Sequence, residues 1–362
     1  MDRRQVLIGG LSGLAVAATG GAGARAQAEA GWVKLPTEPY RGKQDDIFFT
    51  DRLNGWYGNG LGKLFRTRDG GDSWTLAAER PGTFIRALGF VDEHLGLIGN
   101  IGTGYFPNVQ DETPLYRTTD GGVTWSPVQI EGELKGICAI CVQRVPFINA
   151  GSLDHRVVLW AGGRVGGPAH LAVSRDLGLT WTAQDLSPLT AMILDVQFVS
   201  ERVGFIAGAT DASVQESRAT ILRTDDGGQT WSRVYEGGRP WELTWKMSFP
   251  SPQVGYVTVQ SYNQDPASSA RYVAKTADGG LTWTELPLID DLRVRQFGVG
   301  FIDEQRGWIG AAPGGFETRD GGQTWAPADM GPAVNKVRVV RDQAGASVFA
   351  IGAEVRRLLI PA

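Results

Sequence analysis

Short apolar runs separated by polar, glycine-rich breaks set the rhythm of the chain. Val334-Asn-Lys-Val-Arg-Val-Val340 and Ser347-Val-Phe-Ala-Ile351 are typical, and runs of that length between turn residues predict strands rather than helices. Five segments share a fuller pattern: Phe49-Thr-Asp51…Gly55-Trp56, Phe90-Val-Asp92…Gly96-Leu97, Phe198-Val-Ser200…Gly204-Phe205, Phe249-Pro-Ser251…Gly255-Tyr256 and Phe301-Ile-Asp303…Gly307-Trp308. Each predicts a strand ending in an aromatic, a polar turn, and a second strand opened by glycine and a large apolar residue.

A tighter repeat follows each of these turns. Thr67-Arg-Asp69-Gly70-Gly71-Asp-Ser73-Trp74 returns at residues 118–125, 174–181, 224–231, 276–283 and 318–325. The returning pairs are Asp120 and Trp125, Asp176 and Trp181, Asp226 and Trp231, Asp278 and Trp283, and Asp320 and Trp325. In the third copy Leu177 replaces the first glycine. Asp-Gly-Gly suits a hairpin tip, because glycine accepts the positive φ of a tight turn and the carboxylate accepts backbone N–H and Ser/Thr hydroxyl bonds. The closing tryptophan opens the next strand and is large enough to fill the gap between neighbouring sheets. The pattern is the Asp-box. Six symmetric copies indicate a structural role, since an active site is needed once.

Successive box tryptophans lie 51, 56, 50, 52 and 42 residues apart. Four strands in each period make one blade of a β-propeller. After the sixth box the chain supplies three more strands but no seventh box. Trp32-Val-Lys-Leu-Pro36 resembles the segment after a box, Trp283-Thr-Glu-Leu-Pro287, and would provide the missing outer strand. The expected fold is therefore all-β: a seven-bladed propeller of four-stranded antiparallel blades over residues 30–361, closed by pairing N- and C-terminal strands in one blade.

Composition agrees with that reading: 50 glycines and 12 tryptophans, six of them closing boxes, within 362 residues that are 42% hydrophobic and 20% charged. Such a chain can bury a core. A net charge of −4 argues against a nucleic-acid partner. Residues 1–26 read as a signal peptide of twin-arginine type, with Arg3-Arg4, an apolar run and small residues before Gln27, so the protein is expected to be exported to a periplasm or, in a photosynthetic host, a thylakoid lumen.

The longest loops, Asn100 to Pro114, Ala209 to Ala219 and Ser261 to Arg271, fall on the end of the disc opposite the boxes. With Gly162 to Pro168 and the crossings between blades they bring Arg164, Arg218, Arg239, Arg271, Arg293, Tyr105, Phe106, Trp241 and Tyr262 to that end, a residue set suited to protein contact. Asp46, Asp195 and Lys246 share one register, three before the strand-ending aromatic, and are candidates to line the central channel.

Catalytic motifs are weak. Cys138 and Cys141 sit in an apparent inner strand, where positions three apart face opposite ways, so buried small residues are expected rather than a disulfide or metal pair. His94, His155 and His170 share no metal-ligand spacing, and neither a metal nor a cofactor is expected. Asp-boxes also occur in sialidases and xyloglucan-degrading glycosidases. The nearest string to a sialidase Arg-Ile-Pro is Arg144-Val-Pro146, which follows the second box, and the chain is long enough for one propeller rather than the facing pair of the xyloglucan enzymes.

Six boxes, the Phe-x-Asp…Gly turn, the seven-blade length and the twin-arginine-like start together resemble the photosystem II stability and assembly factor family. The resemblance implies a non-enzymatic chaperone of the lumen or periplasm that binds a membrane-protein subunit through an arginine-rich surface; a monomer is expected. A carbohydrate-active protein, either glycosidase or lectin, is the alternative.

Overall fold

A computed structural model describes residues 31–149, 152–265 and 267–362; the expected signal peptide lies outside the described residues. Among the described residues twenty-nine strands form seven sheets, and consecutive sheets follow the chain. Blade 1 runs from its inner strand Gln44–Phe49 through Gly55–Asn59 and Lys63–Thr67 to the outer strand Thr75–Glu79. Blades 2, 4, 5 and 6 repeat this order, starting at Ile85, Met192, Glu242 and Arg295. Blade 7 is built from Val334–Asp342, Gly345–Gly352 and Val355–Pro361, and Val33–Lys34 is its outer strand, antiparallel with Val33 opposite Arg357. The two ends of the propeller thus close it in one sheet, and Trp32 sets its ring edge-on to Trp308 of blade 6.

Blade 3 departs from the expected four antiparallel strands. The outer strand of blade 2 stops at Pro127, which lacks an N–H to continue the ladder, and the next residues, Gln129–Glu131, pair in parallel with the outer strand Thr180–Asp185 of blade 3 as a fifth strand. The inner hairpin of blade 3 is also longer, with Ala139–Asn149 paired to Ser152–Gly162 throughout.

The two sequence repeats meet in the core. Each strand-ending phenylalanine stands edge-on to the box tryptophan of its own blade, as Phe49 does to Trp74 and Phe301 to Trp325. Its face stacks on the preceding blade: Phe90 on Trp56 at 3.7 Å, Phe198 on Trp160, Phe249 on Phe205 and Phe301 on Tyr256. The glycine of each turn is required by close approach, since a Cβ on Gly96 or Gly255 would sit 2.3 or 2.2 Å from the ring of Phe90 or Phe249.

Each box is tied within itself and to its neighbours. In the first, Thr67 Oγ1 and the Ser73 N–H donate to Asp69 Oδ1, and Ser73 Oγ donates to Oδ2. The same bonds recur around Asp120, Asp176, Asp226, Asp278 and Asp320. Those donors hold all six carboxyls down at about 2. The N–H of Gly70, Gly121, Gly227, Gly279 or Gly321 reaches a carbonyl in the inner hairpin turn of the same blade, so boxes and turns share one end of the disc. A cation just before the box threonine reaches the next blade's box, as Arg223 Nε does to the Gly279 carbonyl and Lys275 Nζ to that of Gly321.

Candidate functional site

The innermost strands do more than close the ring. In six of the seven, the register slips by a β-bulge. In blade 1 Gln44 pairs with Asn59 and Asp46 with Gly58, leaving Asp45 without a cross-strand partner. The same irregularity falls at Arg86, Leu194, Trp245-Lys246, Phe297-Gly298 and Asn335. A bulge re-aims its extra residue and breaks the alternation that would otherwise hide it. In blade 1 it lets the consecutive Asp45 and Asp46 both reach neighbouring blades, Asp45 to Arg86 and Asp46 to Lys336.

The channel candidates are placed together there, with partners that sequence reasoning did not name. Asp46 is fully buried; Lys336 Nζ lies 2.6 Å from its Oδ1 and Arg338 3.4 Å away. Burial opposes the charge on Asp46, yet Lys336 and Arg338 hold its carboxyl below the usual range. Lys246 stands 3.5 Å from Asp195 and, like Lys336, is pushed down by burial, Lys336 to about 7. Asp45 takes a 2.6 Å bond from buried Arg86. Lys336 was legible, three residues before Val339 in the shared register; the bulge residues Asp45 and Arg86 were not.

At the end away from the boxes, the channel opens into an aromatic mouth. Tyr105 and Phe106, from the Asn100–Pro114 loop, meet Tyr262, from the Ser261–Arg271 loop, and the inward rings Phe84, Trp245 and Phe297. Phe84 stacks on Phe106 at 4.6 Å, Tyr105 stands edge-on to Phe106, and Trp245 edge-on to Phe297. Arg86 lies over Trp245 at 5.3 Å and Lys43 is 5.9 Å from both Trp245 and Phe297. Trp241 caps the neighbouring crossing, its carbonyl accepting from the Tyr262 N–H. Tyr105 and Trp241 remain 45% and 36% exposed, against the rule for large rings.

The five candidate arginines divide by what they already bind. Arg271 is buried, with bonds to the Val294, Leu292 and Asn263 carbonyls that staple two loops. Arg164 ties its own loop to Thr103 beside the mouth. Arg239 bridges Glu242 and Glu285 over the Tyr272 ring. Among the described residues Arg293 pairs with Asp291 alone and is 86% exposed, and Arg218 stands 3.7 Å from Glu236 and is half exposed. These last two are the solvent-exposed members of the five. Cys138 and Cys141 are free thiols, the first buried beside the mouth. No cluster of three or more metal-ligating side chains occurs among the described residues.

The architecture is a seven-bladed β-propeller built on Asp-box repeats. Residues 116–127 and 222–233 match the model of the BNR/Asp-box repeat family. Among solved structures the chain is similar to YCF48 bound to D1 peptide, with TM-score 0.62, 17% identity, and 91% of this chain and 94% of that chain covered. YCF48 from Cyanidioschyzon merolae gives TM-score 0.62 and 16% identity, covering 91% and 98%. A GH74 xyloglucanase from Xanthomonas campestris gives TM-score 0.61 and 15% identity, covering 91% of this chain and 53% of that one. At these identities the likeness is one of fold. An oligoxyloglucan-reducing end-specific xyloglucanase of Emericella nidulans is 27% identical, over 49% of this chain and 28% of its own length. The chain therefore spans little more than a quarter of that curated relative.

Proposed function

We propose that this chain is an exported, non-enzymatic scaffold that holds a membrane-protein subunit while its complex assembles, with photosystem assembly as the sharpest version. The observation that carries the reading is the channel mouth. Exposed Tyr105 and Trp241, with Arg218 and Arg293 among the loops of the same end, give a rigid disc one end suited to a polypeptide. The likeness to YCF48 supports it, because there a single propeller of nearly the same extent is aligned along almost its whole length. Arg3-Arg4 at the start supports export of a folded protein.

The test is capture from detergent-solubilised membranes with the purified protein. The expected result is one membrane subunit, identified by mass spectrometry, that is retained by the native chain and lost with Arg218→Glu and Arg293→Glu together. Release of reducing sugar from xyloglucan would overturn the scaffold reading in favour of the glycosidase suggested by the Emericella nidulans relative.

A further inference from the structure

The channel mouth encloses a cavity of about 150 Å³, the volume in which a single benzene-sized ring is known to be held. Its walls are the rings of Phe84, Tyr105, Phe106, Trp245, Tyr262 and Phe297, and its polar wall is Lys43, Asp45 and Arg86. Two polar functions there are unmatched. Asp45 is 1% exposed and its Oδ1 takes the Arg86 bond, while Oδ2 has no partner among the described residues. Lys43 Nζ pairs with Oδ1 at 3.7 Å, beyond hydrogen-bond reach, so its N–H donors have no hydrogen-bond acceptor among the described residues. A buried acceptor left unpaired is costly, and an occupant that satisfies it gains accordingly.

These features select the occupant. An aliphatic group would leave both the acceptor and the donor unmatched. An ammonium would enter where Lys43 and Arg86 already outweigh Asp45, and a carboxylate, an acceptor only, would leave the unpaired Asp45 acceptor without a donor. A phenol is neutral, both donates and accepts through one oxygen, and brings a flat ring for aromatic walls. We propose that the cavity is a receptor for a phenol ring, supplied by a tyrosine side chain of the bound partner, whose hydroxyl donates to the Asp45 carboxylate and accepts from Lys43 Nζ. The assignment rests on the partner-binding reading above and names the chemistry by which the partner is held.

Calorimetric titration of the full chain with p-cresol, toluene and 4-methylanisole tests it. p-Cresol is expected to bind about tenfold more tightly than toluene, which lacks the oxygen, and than 4-methylanisole, which has no donor. Equal affinity for all three would overturn the hydrogen-bond assignment. Lys43→Met, at a half-exposed rim position, is expected to weaken p-cresol and spare toluene. Val165→Phe, on a partly exposed lining loop, is expected to abolish p-cresol binding with an unchanged melting temperature, and retained binding would sink the cavity as the site. A capped Gly-Gly-Tyr-Gly-Gly peptide should displace p-cresol where its phenylalanine counterpart does not. Failure of that peptide while p-cresol binds would overturn the side-chain assignment. Success of these titrations with failure of membrane-subunit capture would count against the scaffold reading and leave the phenol site standing.

Discussion

Replacing Gly255 with alanine isolates the joint between the two sequence repeats. The backbone of Gly255 lies in a strand and is not in the left-handed region, so a side chain there is conformationally permitted. In the absence of neighbours, alanine would stabilise the strand by about 0.5–1 kcal/mol through reduced chain entropy. The neighbour reverses that sign. The new Cβ would lie 2.2 Å from the Phe249 ring, which is stacked on Phe205 at 4.4 Å and edge-on to Trp283 at 6.2 Å. Displacing the ring costs about 1–3 kcal/mol of overpacking, with about 0.5–1.5 kcal/mol more for each aromatic pair that is broken. A net destabilisation of about 2 kcal/mol is expected. Phe249→Ala alone should cost about 3 kcal/mol, and in that background Gly255→Ala should be neutral or slightly stabilising. Urea denaturation of the four proteins of this cycle, followed by circular dichroism, gives the coupling energy. An equal cost of Gly255→Ala in both backgrounds would refute the reasoning.

Acid unfolding should follow the boxes. Their carboxyls are lowered from 3.8 to about 2, so the stability they contribute is fully present above pH 3.8 and disappears as pH falls through 2; a circular-dichroism titration should show this part of the unfolding inside that window. Leu35, 3% exposed behind the closing strand with its N–H bonded to the Val355 carbonyl, should cost at least about 2 kcal/mol when cut to alanine, read from the shift in urea midpoint. Native protein should resist thiol reagents at pH 8, because Cys138 is buried and burial pushes Cys141 up to about 11, and two thiols should titrate after unfolding; one disulfide in the intact mass would contradict this. Arg271→Ala should lower the melting temperature by leaving loop carbonyls unpaired, whereas Arg293→Glu should leave it unchanged and weaken partner capture.

The hairpins were legible because their chemistry is local. Thr67, Asp69, Gly71 and Ser73 bond one another within seven residues, and the same short alphabet reappears wherever the same turn is built. From that unit the period, the blade and the closing role of Trp32 follow, and the pairing of Val33 with Arg357 agrees with them. The fifth strand of blade 3 was not legible, since Gln129–Glu131 is a strand only because the edge of another hairpin passes beside it.

The candidate site shows the same division. Tyr105, Phe106 and Tyr262 were recognisable as loop residues of one end, but their meeting with Trp245 and Phe297 depends on bulges, which a two-residue alternation cannot reveal. Arg271 and Arg293 look alike in sequence; burial among distant carbonyls separates the staple from the exposed cation. Short-range turns and periodic strands are determined by the chain itself, through bonds between residues a few positions apart. The channel's ion pairs and aromatic mouth were decided by the tertiary structure, because residues as far apart as Asp46 and Lys336 face each other only when the ring is closed.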